Sequence, residues 1–315
     1  MSTPLLHRLT LCADDFGQHP AIDAGIIELA GRGVLHAVSC MSGAPGWKSA
    51  APMLRALAAQ LELRIDLGLH FNLTEGFGLE GEPMPAGGVA SIAPAAPRGL
   101  GTLIAAVCLG RLGGAERARL RAALSAQLDA FADAVGALPT MLDGHQHVHQ
   151  LPVVREVFLE VIAERYASRA RPWLRNTVPP AGLGGFKPQV LAVLGGRVFR
   201  RRLLAEGLDT NRGFLGVYGF DAPDESAYGA WMERWLALAP DGALLMCHPA
   251  SAEVPEDTIG HQRPMEFRYL ASEAFARARP ARHRARADAA GLITGLTHPR
   301  ARSRSEKDPS GLASG

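Results

Sequence analysis

Residues 9–17, LTLCADDFG, form an apolar run that stops on two adjacent carboxylates, Asp14 and Asp15, and a glycine. The run is rich in strand-forming residues, and strands of parallel α/β sheets present functional side chains at their carboxyl ends. Two neighbouring carboxylates cannot both be buried without a cation or a proton between them. The stretch therefore predicts a parallel α/β fold with a charged site at the strand ends.

The rest of the chain alternates between strand-like and helix-like patterns. Strand-like runs lie at residues 34–43, 64–73, 140–149, 173–177, 214–220 and 243–250. Helical spacing of apolar residues marks residues 21–31, 47–60, 115–135 and 228–238. Strands separated by helices of this length indicate βαβ units and a parallel sheet. A chain of 315 residues is long enough for one α/β barrel.

We expect the barrel to occupy residues 1–298 as a single domain. Residues 75–114 are dense in Gly, Pro and Ala and are too long for a simple connection, so we interpret them as a cover over the site or an insertion. Residues 299–315 mix Arg, Ser, Pro and Gly, a composition typical of a disordered tail.

The composition, 47% hydrophobic and 20% charged, is that of an ordinary soluble globular protein. A net charge of +2 gives no reason to expect nucleic acid or an anionic membrane as the partner. Positive charge is concentrated at residues 197–202 and 277–302, which we interpret as solvated helix faces and a tail. No stretch approaches the roughly 20 apolar residues of a membrane span. These features favour a small-molecule substrate.

The cysteines and the first residues bear on the compartment. Cys12, Cys40 and Cys247 lie inside apolar runs, where a reduced cysteine acts as a small buried hydrophobe, and no pair has CxxC spacing. The first residues, MSTPLLHRL, lack the apolar core of a signal peptide. We therefore predict a cytoplasmic protein.

Four of the apolar runs end on ionisable residues: Asp14 with Asp15, His70, His145 and His248. In a parallel barrel those ends converge on one face. Imidazole and carboxylate are the usual ligands of a catalytic divalent metal, and two His with one Asp leave positions open for water and substrate. Helix capping explains one aspartate after a strand but not three histidines, so the pattern predicts a metal-dependent hydrolase.

The cluster HQHVH places three histidines at spacing two, which on an extended strand would put all three on one face. The outer two would then lie too far apart to bind one ion. Position along the strand favours His145 as the ligand, and His147 and His149 are interpreted as supporting or substrate-facing residues.

The motifs ADDFG (13–17), GLHFNLTEG (68–76), DGHQHVH (143–149) and MCHPA (246–250), in this order and at these separations, resemble the YdjC-like carbohydrate deacetylase family. That family includes chitooligosaccharide deacetylases and deacetylases associated with hopanoid biosynthesis. The resemblance extends from about residue 9 to residue 270. It implies a distorted (β/α) barrel of the polysaccharide-deacetylase-like type that removes an N-acetyl group from an acetylated amino sugar.

By position, the resemblance implies that Asp15, His70 and His145 hold one divalent metal ion, that Asp14 is the catalytic base and that His248 is the general acid. The family is usually described with Mg²⁺, whereas two imidazoles and a carboxylate favour softer ions such as Zn²⁺, Co²⁺ or Mn²⁺. Both Mg²⁺ and Zn²⁺ therefore stay open.

We expect several further residues to support this predicted site. Arg175, at the end of the fifth strand, is expected either to orient Asp14 or to form a salt bridge at the rim. Asp143 is expected to hold an imidazole. Aromatic candidates for sugar recognition at the barrel mouth are Phe16, Trp47, Phe71 and Phe77. The segment RPMEFRYL (263–270) matches a late Arg-x-x-Glu pattern of the family and is interpreted as a helix start that closes the barrel.

Two other functions remain open on sequence alone. A metal-dependent phosphoesterase on a similar barrel would usually carry an HxH near its first strand, whereas here the first strand carries Asp-Asp. A non-catalytic sugar-binding barrel would be favoured by loss of an expected site residue, and none is missing. A homodimer is also possible, through the helix that carries Trp231 and Trp235 together with the apolar cover.

Overall fold

The computed structural model describes residues 9–60, 65–75 and 99–278, which form seven parallel strands surrounded by helices. The strands are β1 (Leu9–Phe16), β2 (Ala37–Cys40), β3 (Asp66–Phe71), β4 (Met141–Gly144), β5 (Trp173–Leu174), β6 (Gly213–Leu215) and β7 (Ala243–Cys247). The helices are α1 (Pro20–Gly31), α2 (Trp47–Gln60), α3 (Leu100–Cys108), α4 (Gly114–Val135), α5 (Val154–Arg165), α6 (Phe186–Leu191), α7 (Arg197–Ala205), α8 (Glu225–Leu238), α9 (Arg263–Ala271) and α10 (Glu273–Ala278).

The sheet has the order β5-β4-β3-β2-β1-β7-β6, and the segment before β6 joins its two edges. Leu174 of β5 forms a parallel bridge with Thr210. Next to it, Asn211 Nδ2 donates to Asn176 O at 3.0 Å, and the Asn176 N–H donates to Asn211 Oδ1 at 2.8 Å. Side-chain amides thus supplement a short backbone pairing at this seam. The distorted α/β barrel expected from the sequence is confirmed.

Alternation along the strands decides which side chains enter the barrel. Cys12, Met141 and Trp173, from three different strands, belong to one buried apolar cluster. Their strand neighbours Leu11 and Leu142 belong instead to the clusters formed with the helices. The lower interior of the barrel is therefore an apolar plug.

The next inward-facing layer, nearer the carboxyl ends of the strands, is ionisable. Two positions further along β1, β4 and β5 come Asp14, Asp143 and Arg175, each no more than 1% exposed. On β3 the corresponding residue is His70, two positions after Gly68. A Cβ at Gly68 would lie 2.9 Å from a methionine Cε below, so glycine keeps that layer packed. The period of the strands therefore places these charges inside the barrel.

The predicted strand at residues 140–149 was wrong in its second half. β4 ends at Gly144, and residues 145–150 form a 3-10 turn in which Gln146 (φ 49°) and His147 (φ 61°) are left-handed. A Cβ at Gly144 would lie 3.0 Å from the backbone nitrogen of His149, so glycine relieves crowding where the chain turns. Because the chain leaves the extended conformation, the three histidines point to different surroundings.

Part of the predicted organisation lies outside the described residues. Within the region 75–114, α3 and the start of α4 are described, whereas residues 76–98 are not. The predicted tail, 299–315, also lies outside, and the single-domain boundary 1–298 stays a prediction. Among the described helices, none has both the length and the apolar character needed to cross a bilayer.

Candidate metal centre and active site

Asp14 and Asp15 reach the same site because β1 is irregular at its end. Adjacent residues of a regular strand point to opposite faces. Here Asp15 has a φ of 70°, and β1 carries one more residue than β2 between Ala13 and Phe16. Such a bulge re-aims a side chain, and positive φ at a non-glycine residue costs on the order of 1–3 kcal/mol. This local strain turns both carboxylates towards the carboxyl end of the barrel.

Asp15, His70 and His145 converge at that end. His70 Nε2 lies 3.4 Å and His145 Nδ1 lies 3.0 Å from Asp15 Oδ1. One donor atom from each residue lies within 4.8 Å of the others. A carboxylate oxygen and two imidazole nitrogens at this spacing match the donor set of a divalent metal ion. The fold thus gathers three side chains that lie far apart in the sequence.

His70 is held in place from behind. Its Nδ1 lies 2.7 Å from Asp143 Oδ1, which also accepts a hydrogen bond from Ser39 Oγ at 2.6 Å. Burial disfavours the charged imidazole, but the negative charges of Asp143 and Asp14 outweigh it and raise the pKa of His70 to about 10. A carboxylate on Nδ1 directs Nε2 towards Asp15, and Nε2 would serve as a metal ligand once its proton is released on metal binding. The expected role of Asp143 in holding an imidazole agrees with this contact.

Arg175 is the charge partner of the neighbouring carboxylates. Its Nη1 and Nη2 donate to Asp14 Oδ2 and Oδ1, both at 2.6 Å, and Nη2 lies 2.7 Å from Asp143 Oδ2. Arg175 is fully buried, so it is not a salt bridge at the rim. Asp14, His70 and Asp143 also lie at metal-binding spacing, but the Arg175 guanidinium already binds both carboxylates of that group, whereas Asp15 Oδ1 has no arginine partner among the described residues. The cluster around Asp15 is therefore the better cation site.

His248 also lies near Asp14, with Nε2 3.9 Å from Asp14 Oδ2. Its backbone N–H donates to Glu266 Oε2 at 2.7 Å, and its ring meets the edge of Phe220 at a centroid distance of 5.3 Å. Glu266 is itself held by the hydroxyl of Tyr218, 2.7 Å from Oε1. The end of β7 therefore delivers an imidazole beside Asp14, as expected from the sequence.

The sequence matches the family model described as YdjC-like protein over residues 8–279. The chain belongs to the YdjC-like family. A carbohydrate deacetylase of Xenopus laevis is 32% identical over 280 residues, which are 82% of this chain and 86% of that protein. A carbohydrate deacetylase of Homo sapiens is 36% identical over 172 residues; this match covers 51% of the chain but only 47% of the human protein.

The YdjC-like chain also shares its fold with a crystal structure of a protein from Enterococcus faecalis V583. The two superpose with a TM-score of 0.62 at 19% sequence identity, over 91% of this chain and 96% of the other. At that identity the likeness concerns the architecture, and it agrees with the barrel described above.

Arg263 belongs to this YdjC-like site, and the sequence analysis assigned it only to a helix start. It does begin α9, but it is 1% exposed, and its Nη2 lies 2.7 Å from Asp15 Oδ2. Its Nε donates to Asp257 Oδ2 at 2.5 Å. Burial opposes the charge of Asp15, yet Arg263 and His145 outweigh it and keep the pKa of Asp15 well below its usual range. Since Arg263 occupies Oδ2, Oδ1 faces the two imidazoles.

Glu75 is a second residue that the sequence reasoning missed, although it lies inside the GLHFNLTEG motif. Its Oε1 is 3.2 Å from His145 Nε2, so the imidazole lies between Asp15 and Glu75. Burial disfavours the imidazolium, but Asp15 and the hydrogen bond to Glu75 raise the pKa of His145. Both imidazoles of the cluster thus have a carboxylate on the ring nitrogen that faces away from Asp15.

Other expected site residues lie elsewhere. His147 packs edge-on against Phe214 at 5.3 Å, and burial together with the Arg175 charge holds its pKa well below the usual value, so it is neutral and outside the cluster. The aromatic candidates for sugar binding were wrong where they are described, because Phe16, Trp47 and Phe71 are at most 3% exposed and belong to the core. Phe77 lies outside the described residues.

Proposed function

We propose that this protein is a metal-dependent hydrolase that removes an N-acetyl group from an acetylated amino sugar, either a chito-oligosaccharide or a glycolipid headgroup. The arrangement that carries the proposal is the cluster of Asp15, His70 and His145 with Asp14 fixed beside it by Arg175. Family membership and the carbohydrate deacetylases among the relatives support the substrate class. The predicted compartment is the cytoplasm, which is compatible with the four free cysteines.

The proposed ion would be held by Asp15, His70 and His145. The donor set fits it: Arg263 and Asp143 occupy the far sides of Asp15 and His70, which leaves Oδ1 and Nε2 facing each other at 3.4 Å. When bound there, a divalent ion supplies Lewis acidity to the acetyl carbonyl and lowers the pKa of water. Mg²⁺ and Zn²⁺ are the two ions to compare.

Asp14 is proposed as the general base. Arg175 binds both of its oxygens along one edge, so the opposite lone pairs remain to accept a proton from the attacking water. The same bidentate contact fixes the direction of the carboxylate, which is what proton transfer requires. Among the described residues, no hydrogen bond joins Asp14 to His70 or His145. Asp14 therefore remains free to act as the base.

His248 is proposed as the general acid. Its Nε2 lies 3.9 Å from Asp14 Oδ2, which is too long for a hydrogen bond, so the proposed acid and base lie side by side without consuming each other. A protonated Nε2 would donate to the departing amine nitrogen. Glu266 fixes the backbone of His248, and Phe220 supports its ring, so the imidazole is oriented without a hydrogen bond that would consume Nε2.

The test uses acetate release from diacetylchitobiose by the full chain, with and without chelator and after addition of Mg²⁺ or Zn²⁺. We expect Asp14→Asn to lower the rate by about 10²–10⁴-fold, the effect of losing a general base, while metal binding by calorimetry is kept. Asp133→Asn, an exposed substitution of the same kind, is the matched control. Full activity of Asp14→Asn, or of the chelated enzyme, would refute the mechanism. Phosphatase activity in place of acetate release would favour the phosphoesterase.

A further inference from the structure

The helical run from Phe186 to Ala205, which comprises α6, a π turn and α7, carries an unusual set of exposed apolar side chains. Phe186 is 83% exposed, and Val193 is 67% exposed. Val198 and Leu204 are 42% and 60% exposed. Seven large hydrophobic residues are exposed in the part of the chain that is described, and these four lie within 19 consecutive positions. Such clustering on a protein surface marks an interaction site.

Basic residues are interleaved with these apolar side chains. The run contains Lys187, Arg197, Arg200, Arg201 and Arg202. The first acidic residue after them, Glu206, is paired with Arg202. In α7, residues three and four apart are neighbours on the helix surface, so Val198 adjoins Arg201, and Leu204 adjoins Arg200 and Arg201. We call this exposed surface of residues 186–204 the basic–apolar face.

The opposite side of the run anchors it firmly to the barrel. Phe199 and Leu203 are fully buried, and the Phe199 ring meets the edge of His149 at 5.2 Å. Gly195 has a φ of 147° and packs against the backbone carbonyl of Gln150, where no side chain would fit. The buried residues therefore anchor this run to the barrel, and packing of the fold does not account for the exposed apolar side chains.

The basic–apolar face begins at the mouth of the proposed site. Lys187 Nζ lies 3.4 Å from the carbonyl oxygens of Tyr218 and Gly219, directly before Phe220, whose ring supports His248. On the neighbouring helix α8, Trp231 is 37% exposed and carries the Arg234 guanidinium over its ring at 5.8 Å. An amphipathic aromatic and further positive charge thus border the same edge.

We infer that the basic–apolar face docks onto an anionic phospholipid bilayer, with Phe186 and Val193 entering the headgroup region and the arginines binding lipid phosphates. A basic helix with exposed apolar residues is the composition that such interfaces take. A second copy of this chain would bring the same positive charge to the contact, which opposes self-association. A nucleic acid would account for the arginines but not for exposed valine and leucine. The inference does not rest on the proposed reaction.

The test is co-sedimentation of the full chain with vesicles of phosphatidylglycerol and phosphatidylcholine, compared with phosphatidylcholine alone. Each basic residue near an anionic surface contributes about fivefold in partitioning. We expect Arg197→Glu/Arg201→Glu to weaken binding at least ~25-fold and Phe186→Ser to weaken it several-fold. The matched control is Arg169→Glu/Arg171→Glu, two exposed arginines just before β5 that lie outside the basic–apolar face. It should bind as the wild type does.

A second measurement uses the wild-type chain and depends on no charge variant. Brominated lipids should quench the fluorescence of Trp231, and Trp231→Phe should lose most of that quenching, because Trp47, Trp173 and Trp235 are at most 3% exposed. Failure of the wild type to bind anionic vesicles at physiological salt would overturn the inference. So would equal binding by the charge-reversal variant, or a wild-type dimer that this variant dissociates.

Discussion

In the wild type, ionisation of Asp23 should lower the free energy of unfolding as the pH rises. We expect Asp23→Asn to abolish this decrease. Asp23 lies in the first turn of α1, is 4% exposed, and accepts a hydrogen bond from the Gly17 N–H at 2.6 Å. Burial raises its pKa to about 7, against the opposing effect of that hydrogen bond. The helix N-terminus favours the charged form and moderates the cost by a few tenths of a kcal/mol to about 1 kcal/mol.

The sign follows from proton linkage. Because this carboxyl has a higher pKa in the folded chain than in the unfolded chain, the folded state binds the proton more tightly. The resulting stabilisation is complete below about pH 4 and is lost as the pH rises through about 7. Linkage over this interval gives a loss of about 2.5 kcal/mol between pH 5 and pH 8. Asparagine keeps an acceptor oxygen for Gly17 and has no such dependence.

The assay is urea unfolding of the wild type and of Asp23→Asn at several pH values from 5 to 8. Other groups titrate in this range, so the quantity compared is the difference between the two free energies of unfolding. That difference should move in favour of Asp23→Asn by about 2.5 kcal/mol on going from pH 5 to pH 8. Asp133→Asn should run parallel to the wild type. If Asp23→Asn also runs parallel, Asp23 is ionised throughout and the reasoning from burial is wrong.

Two further substitutions test the arginines of the site. Arg263→Met should weaken binding of the divalent ion about 10–100-fold by calorimetry, because Asp15 Oδ2 loses its partner. Arg263→Lys should recover part of the affinity. Unchanged affinity in Arg263→Met would exclude this positioning role. Arg175→Leu should lower the free energy of unfolding by about 3–5 kcal/mol, because Asp14 and Asp143 lose their shared buried cation, and a loss below 1 kcal/mol would contradict the charge pairing described here.

The sequence could predict those site residues whose positions follow from the regular alternation of side chains along a strand. An apolar run fixes the strand, alternation fixes the inward face, and the last inward position of β1 or β3 is then Asp14 or His70. The same logic placed His145 in the cluster but failed for His147 and His149, because residues after Gly144 leave the extended conformation, and only backbone crowding around that glycine reveals the turn. It failed for Phe71 because an aromatic residue at a strand end gives no sign of whether it faces the core or the mouth.

The sequence could not predict how two adjacent aspartates acquire different partners. Arg175 is 161 residues from Asp14, and Arg263 is 248 residues from Asp15, so both contacts depend on how the barrel closes. Arg175 binds both oxygens of its aspartate, whereas Arg263 binds one and leaves the other facing two imidazoles. Two buried carboxylates on neighbouring residues would repel each other without such cations. The two arginines therefore make the Asp-Asp pair compatible with burial, and they distinguish Asp14, held at both oxygens, from Asp15, which keeps one oxygen facing the imidazoles.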